Sequence, residues 1–331
     1  MAANIPDWRV VLDDGTDLTD KISPRLLELT LTEKREAGAD ELTLSLHNAD
    51  GKLAVPATGR KLTLSLGWAS GDDVAVGLVE KGSFVVDEVE EGGPPDRVTI
   101  RARSADLSNG HSRRRNRIWH NTTLGAVLSA IAARHSATAS VHPDLAAQPI
   151  EHLEQANKSD VALVQDLGRR FDALATWKGG KLVFMPIGST TNASGQTLPS
   201  HTITRNQGWG WRFQHAKRDA QNGAQAQYHD PTTGRRRTVA TGGNNPHRLK
   251  RIYSSHAEAT RAAASSAKRR QRGAYSFDYD LALADCTLRP NLRVALEGWS
   301  ATVTSIKWLI ESVETSMGAG GMKQRIRMES A

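Results

Sequence analysis

Three times in the first seventy residues leucine recurs at every second position: Leu27, Leu29 and Leu31, then Leu42, Leu44 and Leu46, then Leu62, Leu64 and Leu66. Successive side chains of an extended chain point to opposite faces, so each run predicts a strand with one apolar face; a helix would scatter the same leucines around its circumference. Turn formers at 48–51 and 56–59 separate the runs. Residues 8–12, ended by Asp13-Asp14-Gly15, read as a strand entering a hairpin turn. Residues 84–89 and 97–103, on either side of Gly92-Gly93-Pro94-Pro95, supply two more strands. Short strands at this spacing predict a small barrel or sandwich.

From residue 122 the period changes. Leu124, Val127, Leu128 and Ile131 share one helical face, with Thr122 or Asn121 placed to cap the first turn. Ser159 is a second cap, followed by Val161, Leu163, Val164 and Leu167, and Asp160 adds favourable charge at the helix start. Trp177-Lys178-Gly179-Gly180-Lys181 reads as a tight turn into a strand over 182–185, giving this segment α+β character. Residues 189–200, rich in Ser, Thr, Asn and Gly, read as a solvated connection. Beyond it, 211–217 and 224–229 are expected to pair as strands, and Asp230-Pro231-Thr232-Thr233-Gly234 turns into another at 235–240. An Ala-rich helix should start at Ser254, run through Ala267 and end at Gly273. Strand-like patterning returns at 275–283, 293–296, 301–313 and 323–328.

The pattern is mainly β with an α+β part: a first β unit over 1–107, an α+β middle over 108–188, and a second β unit over 189–331 with a helical insertion at about 246–273. The two β-rich regions share no repeat at the identity level, so spacing alone does not demonstrate a duplicated barrel.

No phosphate-binding loop, Gly-x-Ser-x-Gly elbow or His-Glu-x-x-His helix occurs. His111, His120, His135, His142 and His152 are scattered without helix-face pairing and read as surface or hydrogen-bonded residues. Asp72-Asp73 and Glu90-Glu91 read as solvated loop charges. The single cysteine, Cys286, excludes an intrachain disulfide and a thiolate metal cluster, and reads as a small buried strand residue. No catalytic, cofactor-binding or metal-ligating residue is therefore nominated, and no enzyme activity or cofactor is expected. No run approaches the ~20 apolar residues of a membrane span, and the opening residues lack the order of a secretory signal, so the chain is expected to start in the cytoplasm.

The formal charge of +7 includes three dense clusters: Arg113-Arg114-Arg115-Asn116-Arg117, Arg235-Arg236-Arg237, and Lys268-Arg269-Arg270-Gln271-Arg272. Nucleic-acid binding would use such groups for phosphate contacts. Only Trp119 lies beside the first cluster and no DNA- or RNA-binding signature accompanies any, so solvated faces or contacts to acidic partner subunits rank first. Trp209-Gly210-Trp211 is read either as an exposed anchor or as inward-facing strand aromatics. Arg113, Arg114, Arg115, Arg117, Trp209 and Trp211 are the interface candidates.

Asp40-Glu41-Leu42-Thr43-Leu44-Ser45-Leu46, then Asp50-Gly51, Pro56, Gly59 and Leu66-Gly67-Trp68, resembles the first tube-type barrel of the phage late control protein D family. Residues 84–89, 94–100 and 104–106, the Arg113 cluster, and Trp119 ahead of Thr123-Leu124-Gly125 are similar to its later strands and its passage into the middle domain. Gln155-Ala156-Asn157-Lys158-Ser159-Asp160 through Phe171, and Ala284 through Pro290-Asn291 and Gly298, extend the resemblance over most of the chain; after Trp308 it departs from the family's His and Thr pattern.

The resemblance implies two tube-type antiparallel β-barrels, the α+β middle domain and a helical insertion. It also implies a homotrimer that presents six similar units, adapts a trimeric central spike to a hexameric tail tube, and initiates tube assembly. Expected partners are further copies of itself, the spike, the tube protein and other baseplate subunits. The expected setting is assembly in the bacterial host cytoplasm and residence in the tail baseplate of a contractile phage or phage-like particle. Type VI secretion spike proteins are similar in their N-terminal hub part, but carry a fused spike not expected here. A basic nucleic-acid-binding regulator and a tail-borne cell-wall enzyme are the competing readings.

Overall fold

The structure, a computed structural model, describes residues 3–35, 39–104, 113–215 and 223–331. His111 and the last two positions of the strand expected over 211–217 lie outside the described residues. The N-terminal part comprises β1 (Ile5–Leu12), α1 (Thr19–Ile22), β2 (Leu26–Lys34), β3 (Glu41–His47), β4 (Lys61–Ser70), β5 (Gly77–Gly92) and β6 (Arg97–Ser104). The middle part comprises β7 (Arg114–Thr123), α2 (Leu124–Arg134), β8 (Thr138–Val141), α3 (Pro143–Ala146), β9 (Pro149–Ser159), α4 (Asp160–Phe171), β10 (Ala173–Lys178) and β11 (Lys181–Pro186). The C-terminal part comprises β12 (His201–Thr204), β13 (Gly208–His215), β14 (Gly223–His229), β15 (Arg236–Gly242), β16 (His247–Tyr253), α5 (His256–Arg272), β17 (Tyr275–Leu281), β18 (Arg293–Glu297), α6 (Ala301–Ser305), β19 (Trp308–Gly318) and β20 (Gly321–Ser330).

The chain is mainly β with an α+β middle, as its patterning requires. In β1 through β6 the inward positions of every strand, from Trp8 and Val10 to Ile100 and Ala102, enter one apolar cluster. Six side-by-side strands reach a common interior only if the sheet curls. The buried leucines of β2, β3 and β4 each contribute roughly 1.5–3 kcal/mol relative to exposure. Leu27 is the exception: a register irregularity between Leu26 and Glu28 turns Leu26 toward the cluster and leaves Leu27 45% exposed. The turn after β1 forms and the chain that follows it returns along β1 through a single antiparallel bridge, Val11 with Asp17, while β4 is the full strand partner of β1 on its other side.

The curled sheet does not end at β2. Ser312–Lys34 through Gly318–Glu28 pair β19 with β2, so the two β-rich halves form one twelve-stranded sheet ordered β1-β4-β5-β6-β3-β2-β19-β20-β17-β13, with β18 and β12 branching from β19. The C-terminal interior gathers Phe277, Tyr279, Trp308, Ile326 and Met328 among others. Parallel pairs also occur, β12 with β18, β8 with β11 and β14 with β16.

In the middle part, α2 and α4 pack their apolar faces with Trp119, Leu153, Trp177 and Phe184. The cap of α2 is Thr123, whose hydroxyl oxygen accepts the Ala126 N–H at 3.2 Å, and not Thr122 or Asn121. Ser159 caps α4 as expected, accepting from Ala162 at 3.2 Å. Gly179 and Gly180, both at positive φ, close the β10–β11 hairpin.

Four further sequence expectations are corrected. The strand at β13 does not pair with β14; it pairs with β17, across about sixty residues of chain, because Phe213 and Phe277 share the C-terminal interior. The insertion expected to be helical over about 246–273 is helical only from His256: His247–Tyr253 is the strand β16, which joins β14 and β15 in a sheet of their own, and α5 covers that sheet with Ala259, Ala262 and Ala263 against Ala224, Ala226 and Tyr253. Residues 301–305 are a short helix, and Cys286 lies in a turn rather than a strand, its thiol pushed up to about 11 by burial.

Candidate interaction surfaces

The arginine cluster opens β7, whose antiparallel partner is β9. Arg113 and Arg114 are exposed, as are Asn116 and Arg117, whereas Arg115 is half-buried. Arg115 Nε lies 3.5 Å from Asp160 Oδ2, and Arg134 Nη2 lies 3.3 Å from Asp160 Oδ1. Asp160 is buried at the start of α4, where it accepts hydrogen bonds from the Gln155 amide and contacts the His135 ring, both at 2.9 Å. Arg117 lies over the Trp119 ring at 5.2 Å and Arg134 at 5.9 Å. The structure thus joins Arg115 and Arg117 to Arg134, which sequence reasoning missed. Asp160 was legible only as a helix-start charge; that it is buried follows from the packing of α4 on β9.

Trp209 and Trp211 stand on β13, the last strand of the sheet, and are 59% and 45% exposed. An irregularity at Gly208–Gly210 separates their environments. Trp211 stacks on the interior ring of Phe277 at 6.0 Å, whereas Lys323 of the sheet's polar face lies 5.5 Å from the Trp209 ring. Both rings are exposed and neither belongs to the C-terminal apolar cluster; Trp211 lies against that cluster through Phe277, and Trp209 stands on the polar face. Gly208 is required for this geometry, since a Cβ there would sit 2.0 Å from the Asp280 carbonyl oxygen.

The two ends of the sheet differ. On β1 the Val10 N–H donates to the Thr19 hydroxyl at 3.0 Å, the Val10 carbonyl accepts from Leu18 at 2.9 Å, and Pro6 removes a donor. That edge is blunted. Among the described residues no strand pairs with the outer side of β13, which leaves backbone donors and acceptors available beside two large aromatic rings. The polar face next to it carries exposed charge ladders, Asp280 with Arg325 and Glu311 with Arg327, both at 3.2 Å.

The other basic clusters divide. Arg237 pairs with Asp230 at 2.8 Å on the exposed β15 hairpin. Arg272 is buried and joins α5 to the middle part through Asp172 at 2.6 Å, with Glu329 of β20 at 3.5 Å; Arg35 also meets Glu329. That cluster is structural at its end. Glu90 and Glu91 belong to the end of β5, not to a loop, and Glu90 faces Arg101 at 3.4 Å. His120 and His152 face each other across β7 and β9 with Nδ1 atoms 3.2 Å apart, a cross-strand pairing that helix-face spacing could not reveal. No group of three metal-ligating side chains occurs among the described residues. None of the described helices is long and apolar enough to cross a membrane.

Comparison with known proteins agrees with this architecture. The chain is 33% identical over 358 residues to the probable baseplate hub protein of Escherichia phage 186, covering 96% of this chain and 91% of that protein. The 43 kDa tail protein of prophage MuSo2 from Shewanella oneidensis shares the fold with a TM-score of 0.69 at 15% identity, covering 98% of both chains. A type VI secretion component from Escherichia coli shares it with a TM-score of 0.56 at 12% identity, over 93% of this chain and 74% of that one. Residues 38–321 match the sequence profile of the family described as phage tail baseplate hub (GPD). The chain belongs to the phage tail baseplate hub family.

Proposed function

We propose that this hub subunit assembles as a homotrimer that adapts a three-fold central spike to a six-fold tail tube and starts tube assembly, without performing catalysis. The chain acts in this reading as a first β unit (1–107), a middle unit (108–188) and a second β unit (189–331). The observation that carries the proposal is the pairing of β2 with β19, which locks the two β units of one chain into a single sheet. Three such chains would present six β units in a closed ring, and a closed symmetric ring can meet a three-fold object on one face and a six-fold object on the other. The open β13 edge, with Trp209 and Trp211, supplies the contact between copies by strand addition and aromatic burial. Partners in the particle are then the spike, the tube protein and neighbouring baseplate subunits, with assembly in the host cytoplasm. No observation favours the nucleic-acid regulator or the wall enzyme.

Light scattering of the purified chain, alone and with the particle's spike protein, tests this. A trimer, or a spike-dependent three-to-three complex that nucleates tube polymerisation, supports the proposal. A persistent monomer that neither binds spike nor seeds tube refutes it.

A further inference from the structure

Arg115, Arg117 and Arg134 bring three guanidinium groups around Trp119 and Asp160, where Asp160 is the only carboxylate they contact among the described residues. That carboxylate is already occupied: the Gln155 amide takes Oδ1 and the His135 ring contacts Oδ2, both at 2.9 Å. Arg115 and Arg134 stand farther off, at 3.5 and 3.3 Å, without hydrogen-bond geometry. Arg115 Nε, Arg134 Nε and Nη2, and the indole Nε1 of the 8% exposed Trp119 are all buried donors without an acceptor. Folded proteins rarely leave so many donors unpaired in one place. The charge balance points the same way. Burial pulls the Arg134 guanidinium below its ordinary value, Asp160 opposes this, and the like charges of Arg117 and Arg115 pull it down further. The buried Gln155 side-chain oxygen is an unpaired acceptor at the same site, but it is neutral and the unpaired donors outnumber it; with three guanidinium groups facing one carboxylate, what the site lacks is an acceptor that carries negative charge. Planar guanidinium forks match the oxygen spacing of phosphate-like anions.

We propose that Arg115, Arg117 and Arg134 form a binding site for a phosphate-type oxyanion beside Trp119. This is independent of the trimeric hub reading, because all three arginines belong to β7 and α2 of a single chain. Exposed Arg117 and half-buried Arg115 give the anion its entry, and Arg134 supplies the deeper contact.

The test uses the full chain and inorganic phosphate. Calorimetric titration with phosphate should give a saturable heat, and the thermal midpoint should rise with phosphate above a chloride control of equal ionic strength. Phosphate also stabilises proteins generally, so the readout is the difference between the wild type and Arg117→Gln, whose exposed side chain can be replaced without disturbing the interior. Arg117→Gln and Arg115→Gln should each weaken phosphate binding tenfold or more, and Arg115→Lys should weaken it less. Absence of a saturable phosphate heat in the wild type overturns the proposal, as does an unchanged response in both glutamine variants. Binding of a single-stranded oligonucleotide, lost in those variants while phosphate has no effect, would also overturn it and assign the arginines to nucleic acid.

Discussion

Removing the carboxylate of Glu33 should unfold the junction between the N-terminal sheet and its neighbours at a cost set by one buried ion pair. The inward alternation of β2 runs Leu29, Leu31, Glu33, which places a charge where an apolar side chain would otherwise stand. Glu33 Oε2 receives the Lys81 ammonium at 2.9 Å, with both side chains 3% exposed, and Oε1 lies 3.2 Å from Lys178 of the middle part. Glu33→Leu leaves Lys81 buried without a counter-charge and should cost roughly 3–5 kcal/mol. Lys81→Met is milder, because Lys178 still faces Glu33, and should cost roughly 2–3 kcal/mol. The double variant Glu33→Leu with Lys81→Met removes both charges and should come within about 1 kcal/mol of wild type, since an apolar pair of similar volume replaces a buried ion pair at little net cost. Urea unfolding followed by circular dichroism gives all three values and their coupling energy. Single variants that each cost less than about 1 kcal/mol, or a double variant that costs their sum, would refute the assignment of this pair as a buried, mutually dependent unit.

Gly67→Ala should destabilise by roughly 1–3 kcal/mol or more, because the new Cβ would lie 1.8 Å from the Gly77 carbonyl oxygen and must push β4 from β5; thermal unfolding reads this. Arg272→Ala strands the half-buried Asp172 carboxylate and leaves Glu329 with Arg35 alone, and should cost roughly 2–3 kcal/mol, whereas exposed Arg236→Ala should stay within about 0.5 kcal/mol in the same urea assay. The Asp17 carboxyl is lowered to about 2, first by the Thr19 hydroxyl hydrogen bond, then by the Thr19 N–H and by Arg9. Its folded value lies below its unfolded one, so its contribution is present at neutral pH and is lost as pH falls from about 4 toward 2. Thr19→Val should move the Asp17 titration, followed by carbon-13 NMR, back toward the ordinary carboxylate range. Trp209→Asp should leave the thermal midpoint nearly unchanged while weakening assembly in light scattering, since that ring lies outside the folded interior.

Local pattern made several elements legible before any coordinates. The period-two leucines required strands, the Ser159 cap with its helical face required α4, and Gly179-Gly180 required a tight reversal. The resemblance to tail hub proteins rested on such short motifs and led to the right family. The candidate surface was half legible: Arg113 to Arg117 and the two tryptophans stood out by composition, whereas Arg134 did not, because nothing in an Ala-rich helix marks its last residue as a partner of Trp119.

Sequence by itself determined which stretches extend, which coil into helices and which face of each is apolar, because those properties depend on neighbours two to four residues away. Tertiary structure alone decided the partners. β13 finds β17 beyond the inserted β14–α5 module, β2 finds β19 nearly three hundred residues on, and Asp160 collects Arg115, Arg134, Gln155 and His135 from other elements. Strand edges offer the same donors and acceptors whatever their side chains, so pairing is chosen by which interiors close together. An irregularity of one residue, at Leu27 or at Trp209, then reverses which side chain faces water, and no period in the sequence announces it.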